Sequence, residues 1–265
     1  MKVSGLFRYP VKSMGGQALA RATITARGIE GDRRWMMVTP EGRFLTRREL
    51  PAMAQVEAVP HEAGGIELRR VGAPSLVVPE PSSQTSQVVT VWGERVEACV
   101  AGAQADAWLS DCFDRPVRLV HMARETVRPV DPAYGQSGDM VGFADGFPLL
   151  VTTTDSLAAL NRQLETPVTM ARFRPSLVIE GVGEAFAEEG WRTLRIGGLT
   201  LRVVKPCTRC VITTQDPLTG EGKGPEPLRT LRAMGRVWQK MPVFGMNAIP
   251  DGAGEIALGE AVELA

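Results

Sequence analysis

Through its first hundred residues the chain keeps breaking at Gly and Pro, and the stretches between breaks are short and mix apolar, β-branched and polar side chains. Residues 2–8, 19–25, 34–39, 65–71, 87–92 and 95–100 have this character. Turns such as Pro40-Glu41-Gly42, Gly64-Gly65 and Gly93-Glu94 separate them. Short strands at this spacing predict a barrel or sandwich-like sheet. Residues 79–86 read as a polar loop.

Farther along, residues 101–113 predict a helix, with Ala105, Trp108, Leu109 and Cys112 on one face and Cys112 turned to the core. A strand at 117–120 leads into a long irregular stretch, 124–147, that holds Gly135, Gly138, Gly142 and Gly146 with Asp131, Asp139 and Asp145. Irregular stretches of that length inside a compact domain tend to be functional or disordered. Thr154 is the expected N-cap of a helix with Leu157, Leu160 and Leu164 on one face. Strands are expected at 176–180, 191–196 and 199–204, a short helix at 227–234, and closing strands at 242–249 and 254–258. With no regular βαβ repeat, the fold class is α+β, predominantly β.

Composition removes several functions. Thirty basic residues balance thirty acidic ones, and no basic stripe with interleaved aromatics appears, so a polymeric nucleic acid is not the expected partner. No secretory apolar region follows Met1, and no apolar run approaches the ~18 residues that cross a bilayer. A cytoplasmic protein that does not engage a membrane is expected. Four cysteines in 265 residues do not make a disulfide scaffold, and a reducing compartment keeps them as thiols.

The chemistry centres on Cys207-Thr208-Arg209-Cys210. Two sulfurs so close suit a metal, a disulfide, or one ligand with a bystander. Zinc wants a second Cys or His pair, yet Cys99 and Cys112 stand apart and His61 and His121 are isolated. A thioredoxin-like dithiol would open a helix, whereas the β-branched run Val211-Ile212-Thr213-Thr214 follows. Two structural cysteines remain a simple alternative. Lys205 and Arg209 flank the thiols, and nearby cations favour thiolate. Asp32-Arg33-Arg34, Arg43 and Arg47-Arg48 gather further cations, either as a solvated face or as guanidinium forks suited to phosphate oxygens.

Several separated segments together resemble the MOSC superfamily, in the branch of the mitochondrial amidoxime reducing component and its bacterial relatives. They are Tyr9-Pro10-Val11-Lys12-Ser13 with Gly15-Gly16, Gly28 to Trp35, Phe173-Arg174-Pro175, the Cys207–Cys210 motif with Thr213-Thr214 and Asp216-Pro217, and Pro242-Val243-Phe244-Gly245. The resemblance implies an N-terminal β-rich domain (1–118) packed on a MOSC β-barrel domain (119–265), with a molybdenum pyranopterin held between them and no iron–sulfur cluster. By matching position, Cys210 would ligate molybdenum. Lys12, Ser13 and Arg33 would hold the cofactor phosphate, Arg174, Thr208 and Arg209 would sit against pterin and metal ligands, and Asp145 would lie near the pterin. Ser176 stands where the family commonly has Asn, which alters a pterin contact.

The activity implied is reduction of N-hydroxylated compounds such as amidoximes and hydroxylamines, with Cys210 and Asp145 as the catalytic side chains. Electrons would come from a separate flavin, ferredoxin or cytochrome-type protein, since no cysteine follows Cys210 to hold a cluster. The competing reading is a sulfur or cofactor carrier working through a cysteine persulfide, because MOSC domains also occur in cofactor sulfurases.

Overall fold

In the computed structural model, which describes residues 1–82 and 85–265, the chain is α+β with β predominating. The expected polar loop at 79–86 includes residues 83 and 84, which lie outside the described residues. A nine-stranded sheet dominates. Its spatial order is Val262–Leu264, Thr193–Ile196, Leu199–Thr208, Met241–Asp251, Leu149–Thr153, Leu177–Glu180, Lys2–Arg8 and Gln17–Leu19, with Val237–Trp238 paired to Met241–Asp251. The first strand of the chain is thus built into the sheet of its second half.

Two smaller sheets organise the first half. Trp35–Val38, Arg118–His121, Glu94–Val100 and Ser86–Val91 form one, and Glu57–Pro60, Ile66–Arg69 and Leu76–Val78 form the other. Arg21–Thr25 pairs with both Gly28–Ile29 and Gly254–Ala257, a second tie between the two ends of the chain. Alternating burial explains the large sheet: Leu199, Leu201 and Val203 point into one core with Leu194, Ile196, Val151 and Ile179. A separate core gathers Trp35, Met37, Leu45, Leu68, Leu109 and Leu119.

The first helix begins two residues later than its sequence pattern suggests, and the second one residue earlier. Ala103–Phe113 starts after Gly102 at φ 112°, a backbone that residues 101–102 cannot continue as helix. The cap of Thr154–Asn161 is Thr153, not Thr154: the Thr153 hydroxyl accepts the Ser156 N–H at 3.1 Å. Leu149–Thr153 and Leu177–Glu180 run parallel across this helix, so the chain has a βαβ crossover here without a regular βαβ repeat. Residues 211–214 fold as a single 3₁₀ turn rather than an extended β-branched run. The strands Glu57–Pro60 and Leu76–Val78 were too short and Pro-flanked to stand out. Gly245, at φ 74°, fits where a Cβ would lie 2.6 Å from the Val151 carbonyl oxygen, which explains the glycine after Phe244.

Candidate functional site

A cavity of about 720 Å³ opens where the two halves meet, and it is lined by Lys12, Ser13, Arg33, Asp145, Arg174, Ser176, Cys207, Thr208, Arg209 and Cys210. The residues to which the resemblance gives a role therefore border one space, although these side chains do not play equal parts in it.

One end of the cavity is cationic. Tyr9 closes the first strand, and its ring lies between two guanidinium groups, Arg33 at 4.3 Å and Arg174 at 4.1 Å. Asp32 fixes this corner by accepting the Tyr9 N–H at 2.7 Å and pairing with Arg33 at 2.5 Å. Ser13, Arg33 and Arg174 all sit at positive φ (68°, 44° and 52°), so local backbone strain is concentrated here. Arg47 joins the cluster by donating Nε to the Ser13 carbonyl at 2.7 Å.

Like charges crowd at this end. Burial lowers Arg47 to about 10, while burial and then the neighbouring Arg47 and Arg33 lower Arg174 to about 9. Arg174 donates Nη1 to the Met14 carbonyl at 2.6 Å, but its Nη2 is buried without a partner. A buried, unsatisfied cationic donor beside other cations is the environment an anion completes. A phosphate fits this end.

The other end holds the thiols. Lys12 Nζ donates to the Phe143 carbonyl at 2.8 Å and pairs with Asp145, whose carboxylate also accepts from Trp92 Nε1 at 3.2 Å. Although desolvation by the surrounding walls opposes ionisation, Lys12 and then Arg48 hold the carboxyl of the exposed Asp145 below the usual carboxylate range. Burial pushes Lys12 down, and Asp145 partly restores it. Arg48 stacks 4.7 Å from the Trp92 ring centroid and places Nη2 3.1 Å from Cys210 Sγ. Cys210 therefore has a cationic donor on its sulfur. Burial raises the Cys207 thiol, with Arg209 opposing only in part, so the flanking cations do not make Cys207 the readier thiolate.

Three expectations change at close range. The Arg209 guanidinium is buried and donates to the carbonyls of Phe173 and Phe244 at 2.9–3.0 Å, so it holds the wall rather than pointing into the cavity. Ser176 has no exposed surface, and its hydroxyl accepts the Leu150 N–H at 3.2 Å. The Lys205 ammonium packs on the rings of Tyr134 and Trp238 and makes no hydrogen bond to either thiol. Arg48, Trp92 and Tyr9 were not singled out individually. Arg47-Arg48 was legible only as a run of charge, because the contact with Cys210 spans 162 residues.

Among the described residues, no three His, Cys, Asp or Glu side chains converge on a point that could hold a metal ion by themselves. Cys207 and Cys210 both line this end half-buried, and Cys210 is the one with a cationic donor on its sulfur, beside a cationic pocket. That suits a metal whose remaining ligands arrive with an anionic cofactor. No helix among the described residues is long and apolar enough to cross a membrane.

The MOSC N-terminal beta barrel domain family matches residues 1–116, and the MOSC domain family matches residues 139–263. Mitochondrial amidoxime-reducing component 1 of Xenopus laevis is 34% identical over 98% of this chain and 81% of its own length. The human protein of the same name is 31% identical over 99% of this chain and 82% of its own. Human mitochondrial amidoxime reducing component 2 is 30% identical over 98% and 82%.

Proposed function

Because this chain belongs to the family that joins a MOSC N-terminal beta barrel domain to a MOSC domain, with amidoxime-reducing components among its relatives, we propose that it is a molybdenum-cofactor-dependent reductase of N-hydroxylated compounds. The observation that carries this reading is the single cavity with a partnerless buried arginine at one end and an arginine-bridged cysteine at the other. The substrate class is amidoximes, hydroxylamines and N-hydroxylated bases. The overall reaction takes R–N–OH, two electrons and two protons to R–N–H and water, with electrons delivered by a separate protein.

When bound, a molybdenum pyranopterin would supply a two-electron couple and an acceptor for the oxygen removed. Cys210 would be its protein ligand, and the Arg48 donor would fix the sulfur's position and draw charge from it. Ser13, Arg33 and Arg174 would bind the cofactor phosphate, Arg174 through its unpaired Nη2, while Lys12 is held by Asp145 and the Phe143 carbonyl. Asp145, held ionised by Lys12, acts as an acceptor that orients a donor group beside the cofactor; at neutral pH it has no proton to give. Thr208, exposed at the end of its strand, offers a hydroxyl to whatever lies beside Cys210.

The test uses full-length protein with a chemical or protein electron donor and benzamidoxime as substrate. Wild type should form benzamidine, and Cys210→Ala should lose that activity. Full activity in the variant would reject the assignment, and a persulfide on Cys210 without molybdenum would move the account to a sulfur carrier.

A further inference from the structure

We infer that Lys205 is a substrate-recognition residue: its ammonium, held at the cavity wall by Tyr134, Phe147 and Trp238, receives a carboxylate carried by the N-hydroxylated substrate. The inference deepens the proposed reaction and rests on it for the N-hydroxy end of the substrate. Its physical basis is the course of one strand.

Along Leu199–Thr208 the odd-numbered side chains Leu199, Leu201 and Val203 point into the core. Lys205 continues that phase and would carry a charge into the same apolar cluster. The register with Met241–Asp251 slips between Val203 and Lys205, and again between Pro206 and Thr208. Such bulges re-aim the side chains that follow them, here turning Lys205 and Cys207 from the core to the cavity.

Three rings from three parts of the chain then meet the ammonium. Its Nζ lies 4.5 Å from the Tyr134 centroid, 5.0 Å from Trp238 and 5.2 Å from Phe147. Tyr134 and Phe147 themselves pack edge to face at 6.0 Å. Lys205 and Phe147 line the cavity, whereas Tyr134 and Trp238 stand behind them. The rings fix the position of a long, otherwise mobile side chain and leave its charge intact.

Most other cations of the cavity are already engaged, and Arg174, whose Nη2 has no partner, belongs to the phosphate end. Lys12, Arg33 and Arg128 pair with Asp145, Asp32 and Glu94, while Arg172 and Arg209 donate to backbone carbonyls. Among the described residues no carboxylate comes within 4.0 Å of Lys205 Nζ, and none of its N–H groups has a hydrogen-bond acceptor. An ammonium with π faces behind it and open donors toward the cavity has one vacant role, as partner to an anion.

A carboxylate matches that role better than a phosphate. Phosphate draws several convergent donors, as at the Arg33–Arg174 end, while Lys205 stands as a single positive charge. At about 3.3 Å per residue, five residues separate Lys205 from Cys210 by at most roughly 16 Å, which a small aromatic N-hydroxy acid can bridge through the two side chains.

Calorimetric binding of 4-carboxybenzamidoxime and benzamidoxime to the full chain at low salt tests the inference without turnover. Wild type should bind the carboxylated compound about tenfold more tightly. Lys205→Met and Trp238→Leu should lose that preference and keep the affinity for benzamidoxime, while Lys205→Arg should retain it. Equal binding of the two compounds by wild type, or a preference that survives in Lys205→Met, would overturn the inference. So would a variant that binds both compounds normally and is slowed only with a protein electron donor, since Lys205 would then serve docking. If the binding pattern holds but neither compound is reduced, recognition stands and the proposed reaction falls.

Discussion

Replacing Arg174 with Met should leave the stability of the ligand-free protein close to that of wild type while abolishing its response to an anion. Burial and its arginine neighbours bring Arg174 from 12.5 to about 9, which corresponds to roughly 5 kcal/mol against the charged form at ~1.4 kcal/mol per pH unit. Three contributions oppose that penalty. The bond to the Met14 carbonyl contributes about 1.5–3 kcal/mol, the stack on Tyr9 about 0.5–2 kcal/mol, and the orphaned carbonyl left by the mutation costs about 1 kcal/mol. The balance runs from about 1 kcal/mol against the variant to about 2 kcal/mol in its favour. At about 2–4 °C per kcal/mol for a chain of this size, that is a Tm change between about −4 and +8 °C.

Inorganic phosphate should separate the two proteins. At tenfold excess over its Kd an anion stabilises wild type by about 1.4 kcal/mol, a rise of ~3–5 °C, and the variant by almost nothing. Differential scanning fluorimetry with and without phosphate reads both effects. A variant more than about 2 kcal/mol less stable than wild type, or one that keeps the full phosphate shift, would refute the reasoning that Arg174 is held in strain for an anion.

Arg48→Met removes the donor 3.1 Å from Cys210 Sγ at a half-buried position, so stability should move by less than about 1 kcal/mol while kcat for N-hydroxy reduction falls about tenfold at similar KM; unchanged kcat would count against a role for the contact. Glu188 is fully buried, accepts from Ser156 and Thr153, and is pushed above 4.5 mainly by burial. Its folded state holds the proton more tightly, so the associated stability is complete below pH 4.5 and is lost as pH rises through the folded value. Glu188→Gln should therefore exceed wild type by about 1 kcal/mol at pH 8 and lose the advantage near pH 4, as urea melts at the two pH values would show; an advantage that does not change with pH would contradict the assignment.

Strands with clean alternation, such as Glu94–Val100 and Leu199–Thr208, were legible in the sequence because one face is buried and the period is two. Their bulges were not, since a register slip depends on the partner strand. The N-cap fell one residue early for a similar reason: both Thr153 and Thr154 can cap, and Glu188, 35 residues away, fixes Thr153 in place. At the site, motifs located much of the cavity lining but not the Trp92 and Arg128 walls, nor the direction each side chain faces. Arg209 and Ser176 resemble ligand contacts in sequence, yet tertiary neighbours occupy their polar atoms. Arg48 resembled surface charge, and the fold brings it to the sulfur.

The central claim is that one cysteine of the pair holds the metal. Elemental analysis of wild type, Cys207→Ala and Cys210→Ala, each purified from a host that makes the pyranopterin, tests it most directly. About one molybdenum per chain in wild type, close to that in Cys207→Ala and little in Cys210→Ala is the predicted result. Equal molybdenum in Cys210→Ala and wild type would contradict it.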